Sequence, residues 1–339
     1  MQFSVYQESY IGGRQVNQDR MGYSYTRDAL LLMLADGMGG HDCGEIAAAV
    51  SLQTISALFQ QQATPTLAAP QRFLEEALLA AHRDIQAYRD AHRMPEAPRT
   101  TIVVCLIQHD TATWAHCGDS RLYWMRDGEL LARTRDHSHI ESLIARGVVP
   151  ASERATHRDR NKLYNCLGAS SPPRVEVTNG GAMLPGDQIL LCSDGLWSML
   201  PDEALVRHMH AHTLAQSVPD LLRIALGAAG EGSDNATALA IVWRGGPAGG
   251  DVDADAVTTA EISVHIPAHI PVHSPADIAG NVMADIPIGS APGIATDIST
   301  GLPAGAPTVI STRLLPHDLH STTILSAAAR RDRKLIPSF

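Results

Sequence analysis

One short stretch decides the fold: residues 30–41 read LLLMLADGMGGH. Its first six residues are apolar and have strand character, and Asp36 follows them directly. A carboxylate at the end of a strand can project into a cleft while the strand fixes its direction. We therefore expect a strand that ends at an acidic site.

Four further short blocks contain an aspartate, and they lie far apart along the chain. They are NQD at residues 17–19, GDSR at 118–121, SDGLW at 193–197 and SDNAT at 233–237. Carboxylates that converge from strand ends repel one another unless a cation neutralises them. An all-oxygen ligand set favours Mg²⁺ or Mn²⁺ over zinc. The blocks therefore predict a hydrolase with a carboxylate-bound metal cluster.

The overall composition excludes several classes of protein. The 339-residue chain has a formal net charge of −10, and no Lys/Arg-dense stretch precedes residue 330, which disfavours nucleic-acid binding. The five cysteines form no Cys-x-x-Cys pair, which argues against a disulfide framework or a structural zinc site. The longest apolar run is too short to span a bilayer, and the N-terminus lacks the pattern of a secretory signal. We expect a cytoplasmic protein.

Residues 1–244 are predicted to form one α+β domain, because strand and helix patterns occur without regular βαβ alternation. The expected strands cover residues 3–6, 21–26, 30–35, 101–108, 112–116, 121–125, 188–192 and 237–243. The expected helices cover residues 44–62, 71–93, 138–146, 202–212 and 218–229. This order favours layers with sheets inside and helices outside.

Beyond residue 244 the composition changes sharply. Residues 245–312 contain no Lys or Arg and are rich in Gly, Pro, Ala and acidic side chains, which predicts a disordered linker. Residues 313–339 regain Leu and Ile and contain RRDRK at 330–334. This last segment is interpreted either as a short docking helix or basic anchor, or as a frayed terminus.

The glycines after Asp36 do not form a nucleotide-binding loop. The dinucleotide pattern needs a glycine where Asp42 stands, and the chain has no P-loop motif. A strand-end Asp followed by Gly suits a metal site instead: the Asp36 carboxylate can bridge two cations, and the Gly37 carbonyl can approach one of them. Asp194 and Asp234 can complete the coordination of the same pair, although a single Asp-Gly is more often a turn.

Two further residues indicate phosphoryl chemistry. Arg14 offers planar, bidentate donors to a phosphate beside the metals. His41 is a candidate general acid for the leaving alkoxide, with a simple helix-entry residue as the alternative. Arginine beside a two-metal site is typical of phosphate-ester hydrolysis.

These blocks, in this order, resemble the metal-dependent protein phosphatase family, the type 2C Ser/Thr phosphatases, and most of all its bacterial branch. The resemblance covers about residues 3–243. It rests on DGMGGH at 36–41 with GE at 44–45, and on TT at 100–101, HCGDSR at 116–121, RDHS at 135–138 and NCLG at 165–168.

The resemblance implies a sandwich of two packed antiparallel sheets flanked by helix pairs. It implies that Asp36 bridges two core Mn²⁺ or Mg²⁺ ions, with Gly37, Asp194 and Asp234 as further ligands. Asp19 would contribute directly or through water, and Asp119 would hold a weaker third ion. Arg14 would clamp the substrate phosphate and His41 would act as the acid. Residues 138–165 correspond to a mobile flap beside the cleft.

Three positions depart from the family pattern. Gln18 stands where many relatives have Glu, Pro98-Arg99 replaces a usual glycine, and Ser198 replaces a common Asp. None of them is an expected metal ligand, so we expect catalysis to survive.

The leading hypothesis is a monomeric phosphoserine/phosphothreonine protein phosphatase that acts in signal transduction and opposes a bacterial Ser/Thr kinase. One alternative is a catalytically silent phosphoprotein-binding scaffold, which should have lost one of the three core aspartates. Another is a hydrolase of small phosphate esters, which shares the metal site.

Overall fold

A computed structural model describes residues 1–38, 43–154 and 157–245, together with the backbone of 308–310. The strands are β1 (Gln2–Tyr10), β2 (Asp19–Tyr25), β3 (Ala29–Asp36), β4 (Ile102–Gln108), β5 (Thr111–Cys117), β6 (Arg121–Arg126), β7 (Glu129–Arg133), β8 (Glu176–Ala182), β9 (Gln188–Cys192), β10 (Ala236–Gly245) and β11 (Thr308–Ile310). The helices are α1 (Gly44–Gln62), α2 (Pro70–Ala91), α3 (His139–Ala145), α4 (Asp194–Trp197), α5 (Asp202–Ala211) and α6 (Leu214–Ala229).

The strands form two antiparallel sheets, which confirms the predicted fold class. One sheet has the order β1-β10-β9-β6-β7, and the other has the order β11-β2-β3-β4-β5-β8. Strand β7 and strand β8 were not predicted from the sequence. Strand β7 is largely exposed and β8 carries two glycines, so neither shows a strong apolar pattern.

Three apolar cores lie between the layers and hold them together. The central core lies between the two sheets, the second packs α1 and α2 on the outer face of the β3 sheet, and the third packs α5 and α6 on the β9 sheet. Strand β3 serves two of these cores: Leu30, Leu32 and Leu34 face the other sheet, whereas Leu31 and Met33 face the helices. Because both faces are covered, its sequence is continuously apolar instead of alternating.

The antiparallel register places strand ends, and the acidic blocks attached to them, at one edge of the sandwich. Asp19 at the start of β2 is opposite Asp36 at the end of β3. On the other sheet, β9 and β10 are neighbours, with Cys192 opposite Ala238. The blocks that follow β9 and precede β10 therefore lie close to each other.

Strand β11 falls inside the predicted linker and pairs antiparallel with β2. The remainder of the predicted linker after Gly245, and the whole segment 313–339, lie outside the described residues, so the proposed domain boundaries stay predictions. Within the described part of the chain, no helix combines the length and the hydrophobicity that a bilayer crossing requires.

Candidate metal centre

Asp19 and Asp36 lie opposite each other, at the start of β2 and the end of β3. Ser193 Oγ donates a hydrogen bond to Asp19 Oδ2 at 2.8 Å. The other oxygen, Asp19 Oδ1, is buried and has no hydrogen-bond partner among the described residues. A buried carboxylate oxygen without a donor is costly. Asp19 therefore has a ligand atom to offer to a cation.

Asp194 and Asp234 come from the neighbouring strands of the other sheet. Asp194 begins helix α4 directly after β9, and Asp234 precedes β10. Ser193 joins the two strand ends: its N–H donates to Thr237 O at 3.1 Å, and its Oγ accepts from the Thr237 N–H at 3.0 Å. The same hydroxyl reaches Asp19, so the two sheets meet at this side chain.

The electrostatics of the cluster show that its carboxylates lie close together. Loss of hydration, followed by repulsion from Asp19, Asp194, Asp119 and Asp234, raises the pKa of Asp36 well above its ordinary value. Burial also raises the pKa of Asp19 to about 6. Burial and the charge of Asp234 raise the pKa of Asp194 to about 7. The ionised forms of these groups are therefore disfavoured by burial and by mutual repulsion, and a bound cation would relieve both.

Asp36 lies between the carboxyls of the two sheets. The charges of Asp19 on its own sheet and of Asp194 on the other sheet both contribute to the raised pKa of Asp36. A carboxylate in this central place can bridge two cations held by the flanking groups. The donor set is entirely oxygen, and it fits hard divalent ions such as Mn²⁺ and Mg²⁺.

Gly37 allows β3 to leave the sheet immediately under helix α1. A Cβ atom at this position would lie 2.4 Å from the carbonyl carbon and oxygen of Gly44, and 2.8 Å from Gln18 O. No side chain fits there. Gly37 N–H donates to Gln18 O at 3.2 Å, which keeps the strand exit against the Asp19 block.

Asp119 lies at the end of β5, on the far side of the cluster. Its side chain is buried, and its backbone carbonyl accepts a hydrogen bond from Trp197 Nε1 at 2.9 Å. Burial, the Asp194 charge and the Asp136 charge raise its pKa well above the ordinary value, although Arg121 partly counteracts them. Asp119 therefore belongs to the same acidic region, and it lines the same cavity as Asp194 and Asp234.

Arg121 packs against Trp197, the side chain that donates to the Asp119 carbonyl. Its guanidinium makes a bidentate pair with Asp136, with both N–O distances at 2.8 Å, and it lies 3.5 Å from the centre of the Trp197 ring. The pair is buried on both sides. Such a pair acts in orientation more than in net stability.

Arg14 lies at the rim of the site, with 51% of its side chain exposed. Its Nη2 donates to Asp234 Oδ2 at 2.8 Å. The structure therefore brings Arg14 to the carboxylates, and Arg14, Asp194 and Asp234 line one cavity. His41, the candidate general acid, lies outside the described residues, which stop at Met38 and resume at Cys43.

A cavity of about 540 Å³ opens above the cluster. Three acidic side chains of the cluster line it, together with arginines of the rim and of segment 138–165 and with apolar side chains in and directly after α4. The lining residues include Arg14, Asp119, Asp194, Asp234, Arg154, Arg160, Trp197, Met199 and Leu200.

Two supporting residues were missed in the sequence reasoning. The sequence assigns no role to Asn235, which follows Asp234. Its side-chain nitrogen donates to Ile11 O and Val16 O, and its side-chain oxygen accepts from the Gln18 N–H. The sequence likewise assigns no role to Ser193, which precedes Asp194 and contacts Asp19 and Thr237. The only available signal was their place beside a ligand-type Asp, because their partners come from distant segments. Gln18 itself donates to Glu45 Oε2 at 3.1 Å.

Comparisons with known proteins agree with the fold. A sequence profile of the family described as "Protein phosphatase 2C" matches residues 7–226, which is more than half of the chain. The Serine/threonine protein phosphatase PstP of Mycobacterium tuberculosis is 32% identical over 212 residues, which cover 62% of this chain and 40% of PstP. The Serine/threonine phosphatase stp of Listeria monocytogenes is 26% identical over 230 residues, covering 67% and 90%.

Solved structures give the same result. The crystal structure of M. tuberculosis PstP/Ppp matches with a TM-score of 0.62 at 29% identity, covering 72% of this chain and 99% of that one. The catalytic domain of PstP in complex with two manganese ions matches with a TM-score of 0.60 at 28% identity, covering 71% and 97%. The chain spans about 40% of the length of the curated PstP relative. The resemblance seen in the sequence is confirmed, and the chain belongs to the protein phosphatase 2C family.

Proposed function

We propose that this protein hydrolyses phosphoserine and phosphothreonine esters on proteins in a metal-dependent reaction. The observation that carries the proposal is the convergence of Asp19, Asp36, Asp194 and Asp234 from two sheets, with an unpartnered oxygen on Asp19 and raised pKa values for Asp19, Asp36 and Asp194. Its support from relatives is that PstP and stp are named as Ser/Thr phosphatases and that PstP was crystallised with two manganese ions.

We propose the following roles for the residues. Bound divalent ions supply a water nucleophile and neutralise the phosphoryl charge. Asp36 and the Gly37 carbonyl, with Asp194 and Asp234, would hold the two core ions, and Asp19 would use its unpartnered oxygen. Arg14, at the rim, would donate to the phosphoryl oxygens and orient the ester. His41 would give a proton to the leaving alkoxide.

The biological setting belongs to the proposal too. Phosphorylated proteins are the expected substrates, and a bacterial Ser/Thr kinase is the expected opposing enzyme. We propose a monomer that works in the cytoplasm.

Asp36→Asn provides the test. The amide keeps the size of the side chain but loses the negative charge that would hold two cations. We expect Mn²⁺-stimulated phosphate release from a phosphothreonine peptide and from p-nitrophenyl phosphate, and its abolition by EDTA. In Asp36→Asn the rate should fall by more than the ~10–100-fold typical of a partner outside the ligand shell.

The control variant is Asp127→Asn, in the exposed turn between β6 and β7 at a positive φ that Asn also tolerates. It should keep full activity. Unchanged turnover in Asp36→Asn would remove the bridging role. Activity on the small ester without activity on the peptide would favour the small-ester hydrolase, and no activity on either, with phosphopeptide binding retained, would favour the silent scaffold.

A further inference from the structure

His137 holds the turn that carries Asp119, although it comes from a different segment. The His137 N–H donates to Gly118 O at 2.9 Å, and the Gly118 N–H donates to His137 Nδ1 at 3.2 Å. Gly118 is therefore bonded on both sides, and it directly precedes Asp119. The position of the Asp119 backbone depends on a buried histidine.

His137 also joins the two ends of segment 138–165. Residues 137–139 pair there with residues 162–164, and we call these paired ends the neck of the segment. The Tyr164 N–H donates to His137 O at 3.1 Å, and the next pair along the neck is the His139 N–H with Lys162 O at 2.8 Å. At the root of the neck, Asn165 Nδ2 lies 2.7 Å from His137 Nδ1. One ring nitrogen thus receives donors from the Asp119 turn and from the neck.

The orientation of Asn165 is fixed by Arg174. Asn165 Oδ1 accepts from the Arg174 N–H at 3.0 Å, and Asn165 Nδ2 donates to Arg174 O at 2.7 Å. A flipped amide would lose both bonds. Asn165 therefore presents its nitrogen, a donor, to His137.

This arrangement also fixes the histidine tautomer. Because Nδ1 accepts hydrogen bonds, the ring proton of His137 lies on Nε2, which is 3.4 Å from Glu176 Oε2. Burial and the neighbouring His116 lower the pKa of His137 to about 4, so the ring is neutral at pH 7. His116, His137 and Glu176 group three metal-type side chains. Nε2 of His137 faces Glu176, whereas the His116 ring stacks on His137 and its Nε2 lies 2.8 Å from Arg135 O.

We propose that His137 and Asn165 are positioning residues for Asp119, and that they connect its metal site to the neck of segment 138–165. Their shared hydrogen bonds hold Gly118, and Gly118 sets where the Asp119 carboxylate points. The inference rests on the role that the family resemblance implies for Asp119, that of the ligand of a third, weaker ion.

The test measures metal binding directly, so it does not depend on phosphatase activity. The full-length protein is titrated with Mn²⁺, and the free ion is followed by EPR. Asp119→Asn identifies the weak binding event. We expect Asn165→Ala and His137→Ala to weaken that event about 10–100-fold, the usual effect of a residue that orients a metal ligand. The Mn²⁺ affinities of the tighter binding events should stay within about twofold of those of the unaltered protein.

Two further variants separate positioning from a general loss of structure. Glu176→Ala removes only the partner of His137 Nε2, and its side chain is 41% exposed, so it should leave all Mn²⁺ events unchanged. His137→Asn keeps an acceptor near the place of Nδ1 and should recover part of the weak event relative to His137→Ala. If His137→Ala does not fold, Asn165→Ala with the Glu176 control decides the question.

Three results would overturn the inference. These are an unchanged weak event in Asn165→Ala, an equal weakening of all events, and an unchanged titration in Asp119→Asn. The last would also remove Asp119 from the metal site. Loss of phosphate release with a normal Mn²⁺ titration would instead count against the proposed function and leave the positioning role standing.

Discussion

At the scale of single residues, Asn235 organises the loop that carries Arg14. Its amide nitrogen donates to Ile11 O at 2.8 Å and to Val16 O at 3.1 Å, while its oxygen accepts from the Gln18 N–H at 2.8 Å. One side chain therefore replaces the backbone pairing that an irregular loop lacks. The Arg14 side chain is half-exposed, so few neighbours hold it. The position of its guanidinium therefore depends on the loop backbone that Asn235 supports.

Asn235→Ala should lower the free energy of unfolding by about 1–3 kcal/mol, because it leaves backbone groups of the loop without partners. We also expect KM for a phosphopeptide to rise more than kcat falls, because Arg14 loses its support. Urea denaturation and steady-state kinetics measure the two effects. Asn179→Ala, at an exposed position of β8, is the control. Equal losses in kcat and kcat/KM would contradict this account.

At the scale of elements, the contact between the end of β3 and the start of α1 determines where Asp36 points. Gly37 and Gly44 pack backbone against backbone, and each lacks room for a Cβ atom. The Asp36 carbonyl is held from the other side by the Thr101 N–H at 2.8 Å. A change at this contact therefore acts on the bridging carboxylate.

Gly37→Ala should separate β3 from α1, since the new Cβ would lie 2.4 Å from the Gly44 backbone. Overpacking of this kind costs about 1–3 kcal/mol of stability, and we expect Mn²⁺ affinity to fall with it. Thermal unfolding and an Mn²⁺ titration measure both. Gly227→Ala in α6 meets no atom within 4 Å and should instead stabilise the protein by up to about 1 kcal/mol. Unchanged Mn²⁺ affinity in Gly37→Ala would exclude the contact as a positioning element.

The same elements show what the sequence could and could not predict. Strand β3 was predictable because both of its faces are buried, which requires a continuous apolar run. Strand β7 was not, because three of its five residues are exposed. The pairing of Asp19 with Asp36 depends on the register between β2 and β3, which follows from packing on both sheet faces and not from either segment alone. The acidic blocks were therefore visible in the sequence, whereas their hydrogen-bonded support was not.

At the scale of the whole molecule, the acidic cluster couples stability to pH. The pKa of Asp19 is about 6 and that of Asp194 about 7 in the folded protein, both above the ordinary value of 3.8. A carboxyl whose pKa is raised by folding contributes stability that is complete below its ordinary pKa and is lost as pH rises through the folded value. For the metal-free protein this loss falls between about pH 4 and pH 7 and continues just above it.

Divalent ions should reverse this trend, because they bind the ionised carboxylates and compete with protons. We expect the melting temperature of EDTA-treated protein to fall from pH 5 to pH 8, and the stabilisation by Mn²⁺ to grow over the same range. Differential scanning calorimetry of both forms measures the two curves. Asp194→Asn removes the group whose pKa is about 7, so the curve of its metal-free form should be flatter around pH 7. A metal-free protein that gained stability throughout this range, with no flattening in Asp194→Asn, would show that these carboxyls are not the buried, mutually repelling groups that a cation must neutralise.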